Sequence, residues 1–341
     1  MRNACGWAWW LAVAGVVWAG PVEFGKQELE RAIAGRQLSP RQSRIVTEVT
    51  TDPPESFRIL AGQVSGGDVR GLMYGLLEAA GQIRQRGRLL PARGRPAMPI
   101  RGVRLFIHPE DVAKEWYNSP EFWRRYSEML ARSRFNRLNL VFSSLVPEER
   151  NLETLRSISQ AAADYAIDVA LGLRTSADEP GADEVLKQVL AACPAIRSVQ
   201  VWYRDEFFGP ISEAGRRVTL ELRHADLTPG LLKAAAESAA PLRISVIYGS
   251  AKLGLPAKPP SSQLIWEVGT TDPTKRLLWS DPNFVRRTVI ALAQPGYSGF
   301  EIDPPLPPDS EDAGLFYLLW GRLSYDPKTP ASAWEKELKR P

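Results

Sequence analysis

The chain has 341 residues, 44 % apolar and 24 % charged, with a formal net charge of +4. These ordinary globular values exclude global disorder and leave enough apolar material for a sizeable core. The length suits one small and one large folded unit, and the near-balanced charge argues against a basic nucleic-acid-binding face.

The first residues stand apart. Arg2 precedes an uncharged apolar run from Cys5 to Val17, followed by Ala19, Gly20 and Pro21. The pattern predicts a signal peptide over 1–20, cut near Ala19 or Gly20, and hence a secreted or periplasmic protein. The alternative is an uncleaved membrane anchor, for which the run is short. No later segment is apolar for long enough to span a bilayer. Cleavage removes Arg2, lowering the charge from +4 to +3, and removes Cys5, leaving Cys193 with no internal disulfide partner. His108 and His224 are the only histidines, so no zinc cluster and no metal or cofactor is expected.

Residues 21–98 read as a small N-terminal α/β domain and linker. Phe57–Leu60 reads as a strand, and Val69 to about Arg84 as a helix N-capped by Asp68. Leu72, Leu76, Leu77 and Ile83 line one face of that helix. The Gly-, Pro- and Arg-rich stretch 87–99 reads as a solvated linker.

Over 99–341 strand and helix signals alternate. Strands are expected at 101–107, 137–142, 167–173, 197–203, 217–222, 242–248, 263–268 and 298–302. Helices are expected at about 119–134, 151–166, 181–192, 229–239, 282–293 and 311–323. The alternation predicts a (β/α)8 TIM-type barrel. Connections 204–216 and 249–262 look too short or too rich in Pro and Gly for full helices, which predicts an irregular barrel. The alternative is an open doubly wound sheet, but no Gly-rich dinucleotide loop follows any strand.

The most specific stretch runs Val64-Ser65-Gly66-Gly67-Asp68-Val69-Arg70-Gly71-Leu72-Met73-Tyr74-Gly75-Leu76-Leu77-Glu78. It resembles the helix start in the N-terminal domain of family 20 hexosaminidases and family 67 α-glucuronidases, where a small α/β domain precedes a catalytic barrel. Gly254-Leu255-Pro256, Leu278-Trp279-Ser280-Asp281-Pro282 and Trp320-Gly321-Arg322-Leu323-Ser324-Tyr325-Asp326-Pro327 look like an α-glucuronidase-like bacterial group. The resemblance implies glycosidic chemistry in an exported protein of polysaccharide metabolism, with a carbohydrate as partner. Family 20 enzymes carry an Asp-Glu pair after the fourth barrel strand, matched here by Asp205-Glu206. Their His-x-Gly-Gly lead-in is replaced by Val201-Trp202-Tyr203-Arg204.

Barrel enzymes hold their working residues at the carboxyl ends of strands, and glycoside hydrolysis needs two carboxyl groups across the scissile bond. Glu206 is the candidate general acid and Asp205 its orienting partner, in an aromatic setting of Trp202, Tyr203, Phe207 and Phe208; the alternative is a solvated turn. Glu301 and Asp303 share one face at the end of strand eight. Either could be the second carboxylate, or form a buried ion pair with a barrel arginine such as Arg104. Glu267, ending strand seven, is a third candidate. His108 could bond a sugar hydroxyl or serve as a loop residue. Arg104 could bind a uronate carboxylate or pair with an acid. Trp202, Tyr203, Trp266 and Trp279 could form stacking walls of a sugar pocket, whereas Trp116, Trp123, Trp320 and Trp334 read as packing residues.

Two functions follow: a glycoside hydrolase acting on a uronic acid- or N-acetylhexosamine-containing glycan, or a non-catalytic carbohydrate-binding relative. Two carboxyl groups about 5–9.5 Å apart in one pocket favour hydrolysis. Acids locked to arginines favour binding.

Overall fold

The computed structural model describes residues 20–38, 44–143, 149–174, 181–193, 195–202, 207–213, 218–238, 240–248, 263–270, 278–305, 307–308, 310 and 313–334. The N-terminal unit comprises α1 (Pro21–Gly35), β1 (Val46–Val49), β2 (Phe57–Leu60), β3 (Gln63–Gly66), α2 (Val69–Arg86) and β4 (Ala92–Gly94). Its sheet has the order β1-β3-β2-β4, with β1 and β3 parallel and the other pairs antiparallel. The expected strand and helix are present. Part of the expected linker is instead the edge strand β4, hydrogen-bonded to β2.

The Gly-rich motif is explained by how α2 begins. The Asp68 carboxylate accepts a 2.6 Å hydrogen bond from the Gly71 N–H, satisfying one of the free donors of the first turn. A Cβ on Gly67 would lie 2.1 Å from the Pro53 carbonyl, and one on Gly71 2.2 Å from that of Ser56. Arg70 and Tyr74 then reach the barrel, donating to the carbonyls of Ala166 and Phe135. The motif therefore wedges a helix between its own sheet and the barrel.

The barrel part runs β5 (Ile100–Ile107), α3 (Pro109–Val112), α4 (Glu115–Asn118), α5 (Pro120–Ser133), β6 (Arg137–Phe142) and α6 (Glu149–Asp164). It continues through β7 (Asp168–Leu173), α7 (Ala182–Ala192), β8 (Ile196–Val201), α8 (Phe208–Glu213), β9 (Thr219–Arg223) and α9 (Pro229–Glu237). It finishes with β10 (Leu242–Ile247), β11 (Gln263–Val268), α10 (Pro282–Leu292), β12 (Tyr297–Ile302) and α11 (Gly314–Tyr325). Strands β5 to β12 close into one parallel barrel, so the open-sheet alternative is excluded. Three helices share a sequence device: Ser119, Thr228 and Asp281 cap α5, α9 and α10, each followed directly by Pro. Among its described residues, the first of the two thin connections holds the short α8. The second, 249–262, lies outside the described residues, as do residues 1–19 of the expected signal.

The N-terminal unit covers the amino ends of β5, β6 and β7. The Glu55 carboxylate accepts from Arg70 at 2.9 Å, from Asn136 at 2.7 Å and from Arg101. Its carbonyl accepts from the Tyr325 hydroxyl at 2.7 Å. The carboxyl ends of the strands thus remain as the mouth. Among the described residues no helix is long and apolar enough to cross a membrane.

Candidate functional site at the barrel mouth

Side chains alternate in and out along each strand, and the register sorts the inward ones into layers drawn from alternate strands. Arg137, Ser198 and Arg243 lie toward the amino ends, followed by Asn139, Gln200, Ser245 and Glu301. Arg104, Arg223 and Glu267 come next, and Trp202, Ile247 and Asp303 sit toward the mouth. Barrel interiors are usually filled by Val, Ile and Leu. Here four arginines face four acids: Arg104, Arg137, Arg223 and Arg243 against Glu221, Glu267, Glu301 and Asp303. Gly102 makes room for them, since a Cβ there would meet the Glu301 side chain at 2.8 Å.

Each acid has a defined partner. Arg137 donates to both Glu221 oxygens at 2.6 Å, to Ser198 at 2.9 Å and to Glu301. Asn139 completes Glu301 at 2.9 Å. Arg104 grips Asp303 through Nε at 2.7 Å and Nη2 at 3.1 Å, while its Nη1 lies 2.8 Å from Glu267. Arg223 reaches both Glu267 oxygens at 3.1 Å, and the Ser245 hydroxyl donates to one of them at 2.5 Å.

These environments push the carboxyl groups apart. Burial raises the Glu267 pKa, but the charges of Arg104 and Arg223 outweigh it and bring the pKa down to about 2. Glu221 is likewise lowered: burial is overcome by Arg137 and Arg243. Glu301 moves up, because burial, reinforced by the nearby Glu221 charge, exceeds the pull of Arg137. Burial also raises Asp303 despite Arg104.

Of the candidate acids, Glu301 is fully buried and its partner is Arg137 rather than Arg104. Glu267 is buried beneath the mouth. Asp303 alone keeps part of its side chain exposed, at 12 %. Arg104 is consumed by Asp303 and Glu267. Asp205, Glu206 and Tyr203 lie outside the described residues.

The aromatic wall is corrected in three places. Trp202 is at the mouth, but the guanidinium groups of Arg223 and Arg174 lie over its ring at 4.5 and 5.3 Å, and it is only 3 % exposed. Trp266 is on the outward-facing alternate position of β11. It stacks on Tyr297 at 3.8 Å and donates to the Leu292 carbonyl of α10. Trp279 is buried in the helix layer against Phe284 and Trp320, and its carbonyl accepts from Trp320. His108 is exposed just before α3, its N–H donating to Asp111.

Sequence reasoning missed Arg137, Glu221, Arg223, Arg243 and Arg174. A signal existed for the first four: polar residues recur at alternate positions of apolar strands, as in Arg137/Asn139, Ser198/Gln200, Glu221/Arg223 and Arg243/Ser245. Among the described residues no three His, Cys, Asp or Glu side chains stand together as metal ligands.

No family model matches the chain, and no curated protein matches it in sequence. Among solved structures it is similar to a GH138 enzyme targeting pectin rhamnogalacturonan II, with a TM-score of 0.69 and 17 % identity. The match covers 93 % of this chain and 64 % of that one, so this chain spans less than two thirds of the enzyme's length. It supports neither family 67 nor family 20 in particular. The shared feature is the fold: a closed (β/α)8 barrel like that of a glycoside hydrolase, preceded here by a small α/β unit.

Proposed function

We propose that this chain is an exported glycoside hydrolase-like protein that holds a carbohydrate at the barrel mouth without cleaving it. One observation carries the second half of this reading. Glu267, Glu301 and Asp303, the candidate acids among the described residues, are all bonded to arginines. A general acid must hold a proton near neutral pH and release it to the leaving oxygen. Glu267, with its pKa near 2, cannot do so, and Glu301 is sealed from the mouth.

The glycan is one that carries uronic acid. Arg174 is exposed at the end of β7, with its guanidinium over Trp202, and no carboxylate among the described residues forms a salt bridge with it. A sugar carboxylate would accept a two-pronged bond from it. The fold likeness to a pectin-targeting enzyme is compatible with this choice, and export rests on the pattern of residues 1–20.

Hydrolysis is the second reading. It is favoured by Asp303, which is at the mouth and has a raised pKa, as the partner of Glu206 with Asp205 orienting. The test is a panel of aryl α-glucuronides, α-galacturonides and β-N-acetylhexosaminides, run beside calorimetric binding of uronate oligosaccharides. Binding without turnover is expected. Turnover that falls about 100-fold or more in Glu206→Gln would establish the second reading. Neither binding nor turnover by folded protein would sink both.

A further inference from the structure

On the opposite face of the barrel, one guanidinium group is buried without acceptors. Arg134 occupies the left-handed C-cap of α5, with φ of 76°, and is 1 % exposed. Its guanidinium carbon lies over Tyr74 at 4.6 Å and over Phe57 and Tyr325 at 5.7 Å each. Its Nε and Nη1 make no hydrogen bond. The Glu78 carboxylate of α2 is 3.7 Å from Nη2, too far for a hydrogen bond. The same oxygen is 3.7 Å from Arg322 Nη1 on α11. Arg322 Nε is a further buried donor without a partner.

Two cations therefore share one loosely held carboxylate, leaving a net charge of +1 and three buried donor nitrogens without acceptors. Other buried arginines differ. Arg101, equally enclosed, donates to the Arg134 and Met98 carbonyls and to Glu55. Burial, aided by the Arg322 charge, depresses the Arg134 pKa to about 9. Unsatisfied buried donors are costly, and a guanidinium fork matches the oxygens of a planar or tetrahedral anion. Solvent reaches the edge of this cluster, where the side chains of Glu78 and Arg322 are 36 % and 26 % exposed.

We propose that Arg134, Arg322 and Glu78 form a binding site for one tetrahedral oxyanion, such as inorganic phosphate or sulfate, where α2, α5 and α11 meet. Glu78 acts as the competing anion that swings aside, and the oxyanion takes its place against Arg134 Nη2 and Arg322 Nη1.

The experiment is thermal unfolding and titration calorimetry of the full chain in sodium phosphate, sulfate, acetate and chloride at matched ionic strength. Phosphate or sulfate should give one site and a saturable rise in Tm of about 2 °C or more. Arg322→Met should weaken binding roughly tenfold, and Glu78→Gln should tighten it about threefold or more by removing the competing charge. Neither variant truncates Arg134, so both test the site without emptying the aromatic cage. An equal response to chloride, or a response to acetate alone, would overturn the assignment. So would the absence of saturable binding in both the parent and Glu78→Gln, which would mean that the three rings alone accommodate Arg134. Binding left unchanged by Arg322→Met would also overturn it.

Discussion

The Glu267 carboxylate bonds to Arg223, Ser245 and Gln200 and pairs with Arg104. Breaking a buried ion pair from one side leaves charge without a counterpart and typically costs about 3–5 kcal/mol. Glu267→Gln should therefore lower unfolding stability by about that much in denaturant titrations at pH 7. A loss below about 1 kcal/mol would contradict the described network. The pH dependence has a sign. The folded pKa of Glu267, about 2, lies below its ordinary 4.5, so its stabilisation is complete above the higher value and lost as pH falls through the lower one. Glu301 and Asp303 act oppositely, since their raised pKa values make protonation easier in the folded state. Glu267→Gln should consequently flatten the fall in stability between about pH 5 and 2, and a steeper fall would show that another carboxylate governs acid unfolding. Arg174 is a different case, because it is exposed and supports no described ion pair. Arg174→Ala should leave Tm unchanged and weaken uronate binding about tenfold, equivalent to about 1.4 kcal/mol. Unchanged affinity would remove this residue from the proposed mouth site.

At the scale of elements, all eight barrel strands are legible because in each a short stretch keeps apolar residues at every other position between polar or turn residues. Ser119, Thr228 and Asp281, each before a proline, cap three of the helices whose approximate ranges the alternation predicts. β4 was hidden inside a Gly- and Pro-rich stretch, since an edge strand of three residues leaves almost no periodic signal. The site was less legible than the fold. Alternation identified Glu301 and Asp303 as sharing a face, but which arginine each meets depends on register between strands distant in sequence. Trp266 was misread because its neighbour Glu267 points inward, and adjacent residues on a strand face opposite ways. The Gly-rich motif read as a marker of family, and its physical content lies at the start of α2. Gly71→Ala would place a carbon 2.2 Å from the Ser56 carbonyl, and backbone there cannot yield as a side-chain end can. The expected loss is about 2 kcal/mol or more in chemical denaturation, and a neutral substitution would mean that this contact is not as close as described.

Taken as a whole molecule, the two parts converge on one buried acid, beside the bonds of Arg70 to Ala166 and of Tyr74 to Phe135. Glu55 comes from the loop before β2, while Arg101 and Asn136 belong to the barrel and Arg70 to α2. The three contributors converge on a single carboxylate whose lowered pKa reflects burial overcome by Arg101 and Arg70. Unfolding either part alone would strand Arg101, which is wholly enclosed. The N-terminal unit and the barrel should therefore melt together in calorimetry, as one transition. Glu55→Ala should lower Tm and split that transition, because it removes the shared counter-charge and leaves the enclosed Arg101 without one across the seam. Two separate transitions in the parent protein would refute the coupling. The same experiment connects the underside to the mouth. A glycan bound only to the folded mouth stabilises whatever unfolds with the barrel, so it should raise the single transition of the parent. In Glu55→Ala it should move the barrel transition and leave that of the N-terminal unit where it was.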